Sequence, residues 1–137
     1  MTYVMLVGSD VALLEGLAQS LSGLGHRPLV TATINEAREL AMDLPPLVLV
    51  VDRALASISG SDMLAIPIAS GGARILYRAA SMPPAPLFPS LQRAVLADLT
   101  LPLERHRLSV LVQSVGARAK ATGRAPRITP AERRAEK

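Results

Sequence analysis

Several residue types that carry common protein chemistry are absent or scarce in this 137-residue chain. It contains no cysteine, which excludes disulfide bonds, thiolate metal ligands and cysteine nucleophiles. The two histidines, His26 and His106, are far apart in the sequence, so a histidine-based metal site is not expected. With two tyrosines, one phenylalanine and no tryptophan, the core has to be built from Leu, Val, Ile and Ala.

Long apolar segments are missing as well. No apolar run reaches membrane-spanning length, and no signal-peptide pattern follows Met1. We therefore expect a cytoplasmic protein, and the length is that of one domain with a short appendage.

Positive charge is concentrated at one end of the chain. The net charge is +4, but residues 1–117 carry eight basic and nine acidic side chains, whereas residues 118–137 carry seven basic and two acidic ones. We expect a folded domain over residues 1–117 and a basic tail or linker over residues 118–137. The positive charge is thus not evidence that the folded part binds nucleic acid.

The clearest structural signal is the segment of residues 47–52, in which five Val and Leu residues lead directly into Asp52. Such an unbroken apolar run is typical of an interior strand of a parallel sheet, covered on both faces. An acid at the end of that strand lies on the carboxyl edge of the sheet. In open α/β folds this edge is where ligands bind.

Further strands are predicted at residues 3–7, 27–32, 74–77 and 94–100, alternating with helices. In the first helix, an apolar stripe is expected from Leu13, Leu17, Leu21 and Leu24. A capping box at residues 33–36 starts the second helix, a short helix is expected near residues 62–65, and the last helix contains residues 108–115. This alternation predicts a flavodoxin-like, doubly wound, five-stranded parallel sheet of order 2-1-3-4-5, with helices on both faces.

Residues 2–117 resemble the receiver domain of bacterial two-component response regulators. The resemblance rests on the order of strands and helices, the spacing of three loop sites, and two retained residues. Asp52 matches the phosphoacceptor aspartate, and Leu101-Pro102 matches a Lys-Pro motif that follows the fifth strand.

The other residues that the family uses at this site are different here. The resemblance implies that the Mg²⁺-binding acidic pair matches Gly8 and Ser9, and that the phosphate-binding lysine matches Leu101. The Ser or Thr of strand 4 aligns with Arg78, and the aromatic switch residue aligns with Asp98. Because phosphoryl transfer requires charge neutralisation on the phosphoryl oxygens, we expect a degenerate pseudo-receiver without conventional aspartyl phosphorylation.

Two residues have alternative roles. Asp10 is expected to cap the first helix, although its carboxylate is also a potential metal ligand next to Asp52. Arg78 is expected either to form an ion pair with Asp52 or to be solvated, and Arg53 is a second possible partner for Asp52.

The predicted function is a non-enzymatic signalling module that acts through protein–protein contacts, without a cofactor. Its partner would be a histidine kinase or an output or regulatory protein, and we also expect a homodimer. In the family, the face formed by strands 4 and 5 and the helices after them commonly binds partners. Leu87, Phe88 and Asp98 lie on that side.

Two other functions are compatible with the sequence. One is a true phosphoacceptor that uses Asp52, with Mg²⁺ held by Asp10 and Asp52. The other is the N-terminal part of a DNA-binding transcriptional regulator, because residues 128–134 resemble the opening of a helix-turn-helix output domain. A nucleotide-binding loop is not expected, since neither a dinucleotide nor a P-loop pattern is present. A Ser9–His26–Asp52 triad is not expected either, because His26 precedes the second strand.

Overall fold

A five-stranded parallel sheet forms the centre of the protein. The computed structural model describes residues 3–58, 60–79, 89–101 and 103–124. The strands are β1 (Tyr3–Val7), β2 (Arg27–Thr31), β3 (Val48–Asp52), β4 (Ala73–Ala79) and β5 (Ala97–Leu101). They are arranged in the order β2-β1-β3-β4-β5, and all four neighbouring pairs are parallel. The predicted fold class and strand order are confirmed.

Helices cover both faces of this sheet. The helices are α1 (Val11–Gly23), α2 (Ile34–Asp43), α3 (Arg53–Ile58), α4 (Gly60–Leu64), α5 (Pro89–Ala94) and α6 (Arg105–Arg124). Two short helices therefore follow β3, where the sequence predicted one. Helix α6 continues past residue 117 to Arg124, so residues 118–124 are helical and not irregular. The division of the chain into a domain and a tail stays a prediction. No helix in the described ranges is both long enough and apolar enough to cross a membrane.

Local sequence signals explain where α1 begins and ends. The Asp10 carboxylate accepts a hydrogen bond from the Leu13 backbone N–H at 3.1 Å, which makes Asp10 the N-cap. Gly25 has a φ of 91°, a conformation that favours glycine, and it ends the turn that follows the helix. The buried stripe differs from the prediction, because Leu14 is fully buried while Leu24 is 48% exposed. Leu24 lies at the C-cap of α1, beyond the part of the helix that packs on the sheet.

The capping box of α2 is confirmed. The Thr33 hydroxyl accepts a hydrogen bond from the Glu36 N–H at 3.1 Å. In return, the Glu36 carboxylate accepts one from the Ala32 N–H at 3.0 Å, one residue earlier than the usual partner. These two bonds fix the chain where it leaves β2.

Two apolar cores lie on opposite faces of the sheet. On one face, α1 and α6 contribute Leu14, Leu17, Leu108 and Val112 to a cluster with alternate residues of the strands. On the other face, α2 to α5 pack against the remaining strand residues. The residues of β3 from 48 to 51 are fully buried, as expected for an interior strand. Each such buried Val or Leu stabilises the fold by about 1.5–3 kcal/mol, which fixes the position of Asp52 at the strand end.

Candidate functional site

Asp52 lies at the carboxyl edge of the sheet, as predicted. It is the last residue of β3 and is partly buried. Its Oδ1 accepts a hydrogen bond from the Ala54 backbone N–H at 2.9 Å, in the first turn of α3. A short side chain that binds the backbone two residues further on is a common way to turn a chain from a strand into a helix. The Asp52 carboxylate therefore has a local structural role.

The side chain next to Asp52 on the neighbouring strand is Tyr77. Asp52 and Tyr77 are register partners in the parallel pair of β3 and β4, so they lie on the same face of the sheet. Tyr77 is only 2% exposed and belongs to the core cluster under α1 and α6. A bulky ring thus lies directly beside Asp52, one residue before Arg78, with which the resemblance aligns the family's Ser or Thr.

The Tyr77 ring also reaches Gly8 at the end of β1. A Cβ atom added to Gly8 would overlap the Tyr77 hydroxyl, and it would lie 3.2 Å from Tyr77 Cζ and 3.4 Å from Asp52 Cβ. The end of the tyrosine therefore fills the space between the ends of β1 and β3. Because a Cβ at position 8 would overlap the hydroxyl, an aspartate at this point would require the buried Tyr77 ring to shift.

The Tyr77 hydroxyl is buried and has no hydrogen-bond partner among the described residues. Burial raises the pKa of Tyr77, and the negative charges of Asp52 and Asp10 raise it further. The phenol therefore stays neutral at physiological pH. A buried hydroxyl without a partner lowers stability, so Tyr77 is held in place by the packing of its ring.

Among the described residues at this edge, no metal-binding cluster is found. Ser9 is exposed, and the Asp10 carboxylate is used to cap α1, which supports the capping role over the metal-ligand role. Across the ranges that the structure describes, no group of three or more His, Cys, Asp or Glu residues is placed to hold a metal ion. Of the positions that match the family's Mg²⁺ site, namely Gly8, Ser9 and Asp52, only Asp52 carries a carboxylate.

The end of β5 is apolar. Leu101 is fully buried in the same cluster as Tyr77 and Leu99, so the position that matches the family's lysine provides no positive charge. Pro102 lies outside the described residues, as do Leu87 and Phe88 of the predicted interaction face.

A pairing of Asp52 with Arg78 or Arg53 stays a prediction. Tyr77 lies on the face of Asp52, so strand alternation places Arg78 on the opposite face. The ion pairs of the described residues include Arg53–Asp98 and Arg107–Glu104. Arg53 thus contacts an acid on β5.

The Arg53–Asp98 pair links the residue after Asp52 to the strand that carries the predicted interaction face. The Arg53 side chain is 12% exposed and the Asp98 side chain is 40% exposed. Because one partner is mostly removed from solvent, salt screens this pair less than a fully exposed one. Asp98 lies where the family has its aromatic switch residue, so the structure gives that position a fixed ionic contact.

Arg78 lies close enough to Glu104, at the start of α6, to affect its ionisation. The pKa of Glu104 is lowered chiefly by the hydrogen bond that its carboxylate accepts from the Thr100 backbone N–H, and Arg107 and Arg78 lower it further.

Comparisons with known proteins establish the fold. No protein-family model matches the chain, and no curated protein sequence matches it. Among solved structures, it is similar to the signal receiver domain of a protein described as a LuxO repressor from Vibrio parahaemolyticus. That pair has 20% identity and a TM-score of 0.69, over 91% of this chain and 97% of the other.

Two further structures extend this comparison. A response-regulator receiver domain protein from Clostridium thermocellum has 15% identity and a TM-score of 0.68, over 89% of this chain and 99% of the other. NtrX from Brucella abortus has 14% identity and a TM-score of 0.63, over 90% of this chain but 28% of NtrX. The chain thus has the fold of response-regulator receiver domains.

Proposed function

We propose that this protein is a receiver-like signalling module that acts through protein–protein contacts and not through phosphorylation of Asp52. The observation that carries the proposal is Tyr77, whose ring fills the space between Gly8 and Asp52. A phosphoryl group on Asp52 would have to displace this buried ring or point away from the pocket.

The charges around Asp52 support the same conclusion. A phosphoryl group adds about two negative charges, which must be offset by cations or hydrogen-bond donors. Around Asp52 the matching positions hold Gly8, Ser9 and Leu101, none of which is cationic. Asp10 adds a negative charge, and its influence is already seen in the raised pKa of Tyr77. The pocket is therefore neither shaped nor charged for a phosphoaspartate.

The partner in this proposal is another protein of a signalling system, such as a histidine kinase or an output or regulatory protein. The support is the receiver-type fold, together with the Arg53–Asp98 pair that connects the residue after Asp52 to β5. A homodimer, a contact role for Leu87 and Phe88, a cytoplasmic location and the absence of enzyme activity and cofactor stay predictions.

The proposal is compatible with a longer natural protein. The matched part of NtrX is 28% of that chain, so this fold also occurs as one unit among others. In a DNA-binding regulator, the contact with DNA would then belong to a different domain, and the present module would receive or relay the signal. Steeply salt-dependent DNA binding by residues 1–137 alone would contradict this assignment.

The decisive experiment is intact-mass spectrometry after incubation with a small-molecule phosphodonor, with and without Mg²⁺. We expect no mass gain, and the same result for Asp52→Asn, because the pocket holds neither the space nor the charge that phosphorylation needs. A receiver domain that accepts phosphoryl groups from the same donor serves as the positive control.

A gain of one phosphoryl group that requires both Mg²⁺ and Asp52 would contradict the proposal. It would support the alternative in which Asp52 is a working phosphoacceptor and Asp10 helps to hold the metal. Tyr77 would then have to leave its buried position.

A further inference from the structure

A second feature lies at the opposite edge of the sheet, at the amino ends of β4 and β5. It is an open cleft of about 580 Å³ between the start of β4, the end of α5 and the second half of α6. Each of these elements contributes one arginine, namely Arg74, Arg93 and Arg118. No Asp or Glu belongs to the described residues that line the cleft. The cleft is therefore strongly positive, although residues 1–117 as a whole are slightly acidic.

The backbone fixes one wall of the cleft. Gly71 has a φ of 83°, and a Cβ on it would lie 3.7 Å from the Cβ of Ala119 on α6. A Cβ on Gly72 would overlap the Leu47 carbonyl oxygen, so the turn approaches β3 as closely as only glycine allows. This turn brings the start of β4 close to α6.

The three arginines have few partners. Nη2 of Arg74 donates to the carbonyl oxygens of Leu64 at 3.2 Å and Ile66 at 3.0 Å, while its Nε is buried without a partner among the described residues. Arg93 and Arg118 are exposed, and neither is among the side-chain hydrogen bonds or ion pairs of the described residues. None of the three positive charges is therefore offset by a carboxylate there.

We propose that this cleft binds a small anion that carries two or more phosphate groups. The planar guanidinium group forms two parallel hydrogen bonds with phosphate. The exposed groups of Arg93 and Arg118 lie on separate elements and Arg74 adds positive charge to the wall, so the cleft suits a ligand with several anionic centres. The cleft volume lies within the range of about 300–1,000 Å³ that is typical of small-molecule sites. No aromatic side chain lines the described part of the cleft, so recognition would rest on the phosphates.

This site is separate from the pocket around Asp52 and goes beyond the proposed signalling function. The Arg93 and Arg118 side chains are exposed, so both can be replaced without disturbing the core. Arg118 lies within α6.

The test is isothermal titration calorimetry of the full 137-residue chain with inorganic tripolyphosphate and with ATP, at low and at physiological salt. The test variant is Arg93→Gln with Arg118→Gln. The matched control is Arg27→Gln with Arg105→Gln, which removes the same charge from exposed positions outside the cleft. We expect the test variant to bind tripolyphosphate about tenfold or more weakly, and the control to change by less than about twofold.

Each outcome is informative. Equal affinity for tripolyphosphate and ATP would support a site for phosphate groups alone, and tighter binding of ATP would support a nucleotide as the ligand. No binding by the natural chain, or equal losses in the test variant and the control, would overturn the proposal. It would also be overturned if a polyglutamate peptide bound more tightly than tripolyphosphate and depended on Arg93 and Arg118, because the occupant would then be an acidic protein segment.

Discussion

The two ends of the sheet differ in packing and in charge. At the carboxyl end, which is the ligand-binding edge of this fold class, a buried tyrosine fills the space beside Asp52. At the amino end, an open cleft carries three arginines that no carboxylate neutralises within the described residues. One end is thus used for packing, while the other keeps charges that a ligand can pair with. The fold fixes where the two ends lie, but it does not fix which of them is functional.

The contrast between the two ends of the sheet is tested most strongly at Gly8, where we expect the largest change in the free energy of unfolding. Gly8→Ala would place a Cβ against the Tyr77 hydroxyl, and overpacking of this kind costs about 1–3 kcal/mol of unfolding free energy. In a Tyr77→Phe background the hydroxyl is absent. The loss of unfolding free energy caused by Gly8→Ala should then be less than half of its value in the natural protein. Equilibrium urea unfolding of the four proteins in this double-mutant cycle measures both values.

The matched control is Gly16→Ala. Nothing lies within 4 Å of a Cβ at Gly16, which is exposed on α1. Alanine in a helix is better than glycine by about 0.5–1 kcal/mol, so this variant should be more stable than the natural protein. If Gly8→Ala were equally well tolerated, the carboxyl end would be open and not filled by Tyr77.

The next effect in size is a gain in stability. Tyr77→Phe removes a buried hydroxyl that has no partner among the described residues, and it keeps the ring. We expect the free energy of unfolding to rise by about 1 kcal/mol, because the desolvation cost of the hydroxyl disappears. Thermal and urea unfolding should agree on this sign. A loss of about 1 kcal/mol would mean that the hydroxyl has a partner and a role beyond filling space.

The smallest change in stability is expected at the amino end of the sheet, in the arginine cleft. Replacing Arg93 and Arg118 together by glutamine should change stability by less than about 0.5 kcal/mol, because both side chains are exposed and without partners among the described residues. Unfolding in the absence of phosphate-containing buffer measures this. A large loss of stability would show that these arginines support the fold, and the contrast between the two ends would disappear.

The fold was predictable because its signals are local and consistent. The run of Val and Leu in β3, the capping residues of α1 and α2, and the apolar positions of α6 each indicate one structure. Their order along the chain leaves few possible topologies, since parallel strands must be joined by crossovers. The position of Asp52 at the carboxyl edge followed directly from that topology.

The neighbours of Asp52 were harder to predict. Residues 75–77 are all buried, so no alternation of polar and apolar residues shows which side chain faces which side. Arg78 is a charged residue directly after the predicted strand of residues 74–77, whereas β4 continues to Ala79. The choice between Tyr77 and Arg78 depends on the register of β3 and β4. That register is a tertiary property that one sequence does not reveal.

The arginine cleft was not predicted at all. Its three arginines are 19 and 25 positions apart in the sequence, and each one alone is an ordinary charged residue. Only the Gly71–Gly72 turn and the path of α6 bring them together. The two glycines of this turn indicate that another part of the backbone comes close to it. The sequence does not show which helix or strand that part belongs to.

The contact between Gly8 and Tyr77 also limits how this protein can change over generations. An acid at position 8 is sterically blocked while Tyr77 is present, and a small residue at position 77 leaves a void in the core while Gly8 remains. Neither substitution is favourable as a first step, so we expect positions 8 and 77 to change together and not one at a time.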